Sequence, residues 1–363
     1  MRLTRLDLGN VRRFESVRFT PAPGLNLLTG DNGAGKTSVL EALHLLAYGR
    51  SFRGRVRDGL IRQGAQALEV FAEWVECADP AQPVRRVGLR HAGAMWSGRL
   101  DGTDIDQLGT LCQALAVVTF EPGSHALVAG PAEGRRRYLD WGLFHVEQGS
   151  LQPWRRYNRA LKQRNALLKS GRPGPDLDAW DHELAEAAAP LDRLRGAYAE
   201  ALAPHLSAMV ADLVPALGPV RLAYVPGWRR DELGLADALL LARDRDRAGG
   251  FTSVGPHRAD LRLVFDGFPG REALSRGQGK LLALSLLLAQ AGHQARVRGA
   301  WPIVALDDMA SELDAGHQRL LLSRLTHAGA QVVMTGTQVP DSVGEWKDSV
   351  RVFHVEQGTI ATA

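Results

Sequence analysis

The sequence predicts an α/β protein: one mixed sheet with flanking helices, an antiparallel β subdomain and a helical second lobe. Three observations support this. Near the N-terminus, residues 24–29 read as an apolar strand that runs into a glycine turn and then an apolar-periodic helix from about Lys36 to Tyr48. Near the other end, residues 302–306 and 330–334 are apolar strands with a helix between them, the pattern of parallel strands buried on both faces. Between these ends, from about Pro131 to Val214, the apolar spacing changes to a helical period.

Residues 3–8 form the first short strand. Residues 67–75, 84–90 and 95–100 alternate apolar and polar side chains between glycine and proline breaks, which predicts an antiparallel flap on the first half of the core. Residues 115–120 then return to the main sheet as a buried strand. In the helical stretch Leu177, Trp180, Leu184, Ala187, Leu191, Leu194 and Tyr198 fall three and four apart, while Pro190 and Pro204 interrupt the pattern. A compact set of helices follows, without a long coiled coil. The expected organisation is a discontinuous α/β head from residues 1–130 and 215–363, a helical lobe over 131–214, and a helix over 275–293 packing near that lobe. The hexapeptide FHVEQG occurs twice, Phe144 to Gly149 and Phe353 to Gly358, but is too short to define a repeat.

Composition narrows the class. With 363 residues, 45% hydrophobic and 23% charged, the chain can bury one large core or two modest ones. The apolar run at 281–289, broken by Ser285, is far short of the ~20 residues of a membrane span, and the first ten residues lack an apolar signal core. A soluble cytoplasmic protein is expected. Cys77 and Cys112 are too few for a disulfide framework and lack zinc-site spacing, so both are expected to be buried thiols. The net charge of +4 is too mild to specify a partner.

"LTGDNGAGKTS" at 28–38 fits G-x-x-x-x-G-K-S/T between a strand and a helix. Its candidates are Gly30, Asp31, Asn32, Gly33, Ala34, Gly35, Lys36, Thr37 and Ser38. The glycines let backbone N–H groups turn inward around phosphates, beside the positive end of the following helix. Lys36 would reach the β- and γ-phosphates, and Thr37 would ligate magnesium. "WPIVALDDMASELD" at 301–314 is a buried strand ending in two carboxylates. Asp307 could hold the magnesium ion and Asp308 could polarise an attacking water, a reading the glycine loop favours over Asp308 or Ser311 as a plain helix cap. "LSRGQGK" at 274–280 puts Ser275 at a helix N-terminus, where a hydroxyl and free N–H groups favour an anion.

Together these motifs resemble the ABC-type ATPases, in which the serine-led signature of one head closes on nucleotide held by another. Within that group the chain is similar to the RecF family of DNA replication and recombination-repair proteins. The likeness rests also on "GDNGAGKTSVLEALHLLAYGRSFR", "EPGSHALVAGPAEGRRRYLDWGLFH", "WRRYNRALKQRNALLK" and "GPHRADL", which cover nearly the whole chain. The resemblance implies an ABC-type P-loop ATPase head, ATP and Mg2+ as cofactors, an ATP-dependent homodimer, and slow, DNA-stimulated hydrolysis. It also implies binding to single-stranded, double-stranded, gapped or junction DNA, support of recombinase loading, a mediator partner such as RecR, and no membrane. By position, Lys36 and Asp308 are catalytic and Thr37 and Asp307 hold the metal. Ser275, Arg276, Gly277 and Gln278 face the partner's nucleotide. Two departures stand out: Thr335 and Thr337 occupy the switch-histidine loop, and TFEPGS after residue 118 offers no sensor glutamine. A transporter ATPase subunit and a nucleotide-gated scaffold with negligible hydrolysis are the competing readings.

Two basic stretches are candidate DNA contacts. Residues 151–175 contain Arg155, Arg156, Arg159, Lys162, Arg164, Lys169 and Arg172 with no acid, and their charges are expected on exposed helix faces. Arg50, Arg53, Arg55, Arg57 and Arg62 form the second cluster, with Asp58 as its one acid. In GPHRADL, a structural or interface role for His257 and Arg258 is expected over a catalytic pair of His257 with Asp260.

Overall fold

A computed structural model of the chain describes residues 1–54, 59–76, 83–171, 175–346 and 349–362. The N-terminal strands are β1 (Arg2–Val11), β2 (Phe14–Phe19) and β3 (Leu25–Thr29), followed by helix α1 (Lys36–Tyr48). The alternating segments form β4 (Leu68–Val75), β5 (Arg85–Ala92), β6 (Met95–Leu100) and β7 (Thr103–Ile105), and α2 (Leu108–Ala114) leads into β8 (Val117–Phe120). The helical stretch comprises α3 (Ala126–Ala129), α4 (Ala132–Val146), α5 (Leu151–Ser170) and α6 (Pro175–Leu213). It is followed by β9 (Val220–Val225), α7 (Leu235–Gly249), β10 (Asp260–Phe265) and α8 (Arg276–Arg298). The chain ends with β11 (Ile303–Leu306), α9 (Met309–Glu312), α10 (Ala315–His327), β12 (Val332–Thr335), β13 (Val350–Glu356) and β14 (Thr359–Thr362).

The chain divides into two compact units, Met1–Ser124 with Leu284–Ala363, and His125–Ala283. In the first unit the apolar strands build a mixed sheet of order β14-β13-β3-β12-β11-β8, parallel except for β14. The register pairs Leu28 with Thr335 and Leu306 with both Met334 and Phe120, so the carboxyl ends of β3, β12, β11 and β8 are level at one edge. In open α/β sheets that edge is where ligands bind. The flap is a second six-stranded sheet, order β2-β1-β4-β5-β6-β7, antiparallel throughout. It includes β1, and also β2, which the sequence did not reveal: the turn between them contains neither glycine nor proline, and Arg12 instead takes a positive φ of 54°. Helix α1 is hydrophobic nearly all round and buried, sharing one core with Leu6, Leu8 and Trp74 of the flap and Ala305 and Val333 of the main sheet.

The second unit corrects the expectation that proline divides the helical stretch. Helix α6 runs unbroken for 39 residues with Pro190 and Pro204 inside it, a length of roughly 58 Å at 1.5 Å per residue. Leu184, Leu191, Leu202, Leu206, Val210 and Leu213 are buried along it, and this packing outweighs the hydrogen bonds that proline forfeits. Because α6 packs against α4, α5 and β9, it is no free coiled-coil arm. The antiparallel β9–β10 ribbon and the start of α8 fall in the same unit, which is therefore larger than the 131–214 helical lobe expected. No helix among the described residues is long and apolar enough to cross a membrane.

Arg164 is a second correction. Placed by periodicity on an exposed face, it is 0% exposed and donates to Asp181 Oδ1 at 2.5 Å, Asp246 Oδ2 at 2.7 Å and Thr252 Oγ1 at 2.9 Å. A buried guanidinium is tolerated because carboxylates and a hydroxyl surround it.

Candidate phosphate-binding site

The glycine loop begins where β3 ends. At Gly30 φ is +138° and an added Cβ would lie 2.3 Å from the Val355 carbonyl oxygen; at Gly35 φ is +116° and a Cβ would meet the Phe14 ring at 2.9 Å. Only glycine fits either position. The loop delivers the chain into α1 with Lys36 buried at its first turn, and Lys36 Nζ donates to the carbonyl oxygens of Gly30 at 2.6 Å and Asp31 at 2.8 Å. Burial holds the Lys36 ammonium below the usual lysine range, against the opposing charges of Asp308, Asp31 and Asp307.

At the end of β11, the Asp307 carboxylate is 2% exposed and its Oδ1 accepts from Thr37 Oγ1 and Thr335 Oγ1, each at 2.8 Å. Burial raises the Asp307 carboxyl above the ordinary aspartate value, opposed by those two hydroxyls and by Arg53. The next residue, Asp308, is in the left-handed region at φ 52°, ψ 43°. It precedes α9 without a capping bond from its side chain, and its own N–H donates to Thr335 Oγ1 at 2.9 Å. A cavity of about 380 Å³ opens here, lined by Arg12, Arg13, Asn32, Gly33, Gly35, Lys36, Thr37, Ser38, Arg53, Pro122, Asp307, Asp308, Thr335 and Thr337. The structure thus gathers the loop and both carboxylates at the carboxyl edge of the parallel strands. Thr37 with Asp307 presents hard oxygen donors of the kind that would suit a magnesium ion.

Arg12 and Arg13 of the lining carry no sequence motif, and the role of Thr335 is not evident from its loop alone. Thr335 acquires its role from strand register. Arg12 and Arg13 sit in the β1–β2 turn, and Arg12 is held by Glu41 of α1, Nε to Oε2 at 3.1 Å and Nη2 to Oε1 at 2.9 Å. Glu41 also accepts from the Ser51 hydroxyl, and Ser51 Oγ accepts from the Arg53 backbone N–H at 2.9 Å. One buried acid therefore steadies both Arg12 and the segment carrying Arg53. That acid was the available signal, since a lone Glu on an otherwise apolar helix demands a cationic partner. Arg53, a candidate DNA contact, stands in the cavity wall; Arg55 and Arg57 lie outside the described residues.

The remaining candidates belong to the second unit. Ser275 and Gln278 form a reciprocal capping box at the start of α8: Ser275 N–H donates to Gln278 Oε1 at 2.9 Å, and Gln278 N–H to Ser275 Oγ at 3.2 Å. Ser275, Arg276 and Gly277 are exposed. On α5, Arg159 and Lys162 are exposed and Arg155 is half-buried, whereas Arg156 makes a bidentate pair with Glu183, both contacts 2.7 Å. That hydrogen-bonded pair holds Glu183 below the ordinary carboxylate range. His257 makes no pair with Asp260. Its Nδ1 meets the Tyr157 hydroxyl at 2.7 Å and its Nε2 donates to the Thr252 carbonyl oxygen at 2.8 Å, while Asp260 accepts from Arg135.

Comparison with known proteins follows the same lines. Residues 2–361 match the RecF/RecN/SMC N terminal domain family. The DNA replication and repair protein RecF of Stenotrophomonas maltophilia (strain R551-3) is 62% identical over 361 residues, 99% of both chains. That of Xanthomonas oryzae pv. oryzae (strain MAFF 311018) is 59% identical over 99% of this chain and 100% of its own. Among solved structures, the recombination mediator protein RecF with ATP, of the RecFOR pathway, superposes with a TM-score of 0.87 at 25% identity, covering 100% of this chain and 97% of that one.

Proposed function

This chain belongs to the RecF family of DNA replication and repair proteins, within the RecF/RecN/SMC N-terminal-domain family, and on that premise we propose that it binds ATP with magnesium, dimerises on it and hydrolyses it slowly while acting on DNA. The observation that supports this best is the 2.8 Å hydrogen bond between Thr37 Oγ1 and Asp307 Oδ1, two residues 270 positions apart, beside the Lys36 ammonium. A bland glycine turn has no reason to meet a buried strand-end carboxylate.

In this reading the backbone of residues 30–35 cradles the β- and γ-phosphates, and Lys36 exchanges its carbonyl partners for phosphate oxygens. Thr37 and Asp307 would hold magnesium, which supplies charge neutralisation of the phosphates. Arg12, Arg13 and Arg53 add positive charge along the wall. Asp308 orients the attacking water; its side chain is one methylene shorter than the glutamate common among ABC ATPases, which favours slow turnover.

Ser275, Arg276 and Gly277 are exposed at a helix N-terminus, with Gln278 half-buried beside them, where a second copy's γ-phosphate would find N–H donors. Exposed Arg159 and Lys162 provide backbone contacts to DNA without base readout. The mediator partner is of the RecR kind and the protein works in the cytoplasm. Mixing Lys36→Ala with Ser275→Arg subunits tests the shared site: the mixture should recover ATPase activity through one intact composite site. A mixture as inactive as either variant alone would refute it.

A further inference from the structure

We propose that Thr335 is a positioning residue that fixes both carboxylates of the hydrolytic centre, Asp307 through its side chain and Asp308 through its backbone, rather than a reader of the γ-phosphate. The proposal rests on the ATP-hydrolysis reading above. It answers the question left by the switch loop, where a threonine occupies the place expected for histidine.

Thr335 is the last residue of β12, a strand flanked by β3 and β11. Its backbone pairs with Leu28, and the following Gly336 N–H donates to the Leu28 carbonyl oxygen at 3.1 Å, so the Cα position is set by the sheet. The side chain is 3% exposed. A hydroxyl carries one proton, and this one is given to Asp307 Oδ1 at 2.8 Å, while the oxygen accepts from the Asp308 N–H at 2.9 Å. No proton remains for a phosphate oxygen, and a lone pair repels one.

Each of the two bonds has a distinct effect. On Asp307, the hydroxyls of Thr335 and Thr37 converge on the same oxygen, so the carboxylate cannot rotate without breaking both bonds. Asp308 has a left-handed backbone, which costs free energy for any residue but glycine and persists only where surrounding bonds enforce it. Its carbonyl is held by the N–H groups of Ser311 at 3.0 Å and Glu312 at 3.2 Å, and its N–H by Thr335. Without the Thr335 acceptor, the N-terminal side of that residue is released, and the carboxylate it aims into the cavity loses its direction. Thr337, exposed and in the cavity wall, is the loop hydroxyl placed to meet phosphate.

The test compares Thr335→Val, which keeps the β-branched shape and removes the hydroxyl, with Thr335→Ser, which restores it, and with Thr337→Ala. The readouts are the affinity for a fluorescent ATP analogue with Mg2+, single-turnover hydrolysis, and amide hydrogen exchange across residues 303–312. T335V should bind nucleotide within about two-fold of wild type, because Thr37 still holds Asp307, and hydrolyse about ten-fold or more slowly, because nothing replaces the bond to Asp308. T335S should return to within about three-fold of wild type, having regained the bond. Exchange should rise around Asp308 in T335V while β12 stays protected. T337A should show the opposite split, weaker binding with kcat retained. If the valine variant does not fold, Thr335→Ala serves the same comparison. T335V matching wild type, T335V losing affinity with kcat intact, or T335S as slow as T335V would overturn the brace alone. Wild-type protein that binds no ATP would overturn the hydrolytic reading, and the brace with it.

Discussion

Removing Arg12 should destabilise the first unit by more than its half-exposed position suggests, and neutralising Glu41 in the same molecule should recover part of the loss. The Glu41 side chain is 0% exposed, and its described partners are Arg12 and the Ser51 hydroxyl. The Arg12 side chain is 26% exposed. Arg12→Met therefore strands a buried carboxylate, a loss on the order of 3–5 kcal/mol. Glu41→Gln keeps the shape and one acceptor oxygen for Arg12 Nη2 and the Ser51 hydroxyl, turns an amide N–H toward Arg12 Nε, and leaves Arg12 close enough to water to be solvated. Its cost should be that of weakened charge-assisted bonds, about 1–2 kcal/mol. In the double variant no charge is buried, so it should be more stable than Arg12→Met by about 1 kcal/mol or more. Native-state hydrogen exchange of α1 amides in increasing urea measures this, because α1 is at the centre of that unit's core. A loss below about 1 kcal/mol for Arg12→Met, or a double variant that sums the two single costs, would refute the reasoning.

Three further outcomes are expected. Arg164→Met leaves Asp181 and Asp246 buried beside each other with Arg243 still reaching Asp181, and should cost the second unit about 3–5 kcal/mol by exchange of α5 amides. Burial lowers His257 to about 4, so between about pH 6.5 and pH 4 the unfolded chain carries a proton that the folded chain does not. Stability is full above that window and falls as pH drops through it, and His257→Gln should flatten the fall in urea midpoints. On DNA, Arg159→Ala and Lys162→Ala should each reduce the slope of log affinity against log salt by about one unit, while Arg156→Ala, already engaged by Glu183, should change it less.

The central sheet was legible from sequence because its strands are unbroken apolar runs, and α1 because its pattern follows a glycine loop. Elsewhere local residues do not decide the structure. FHVEQG ends α4 in one place, with Phe144–Val146 helical, and forms strand β13 and its turn in the other, with Gln357 and Gly358 at positive φ. The partners of Arg164 lie 17 and 82 positions away, so an acid-free stretch read as an exposed basic face hides a buried cation. Proline did not end α6, because packing along its length outweighs two lost hydrogen bonds. The β1–β2 turn lacked glycine and proline, and with it went Arg12 and Arg13. Cys112 is half-buried, its thiol pushed up to about 12 by burial; Cys77 lies outside the described residues. The candidate nucleotide loop and the Asp307–Asp308 pair were legible as motifs, but Thr335 depends on the register of three parallel strands, which no local pattern encodes.

In the proposed dimer, ATP joins two chains by placing Ser275 of one on the nucleotide held by Lys36 of the other. Light scattering with and without ATP measures it, in wild type and in Ser275→Arg. ATP should raise the wild-type mass toward twice that of the 39.4 kDa chain and leave Ser275→Arg unchanged. Wild-type protein that binds ATP without any rise in mass, or a Ser275→Arg variant that dimerises equally well, would contradict it.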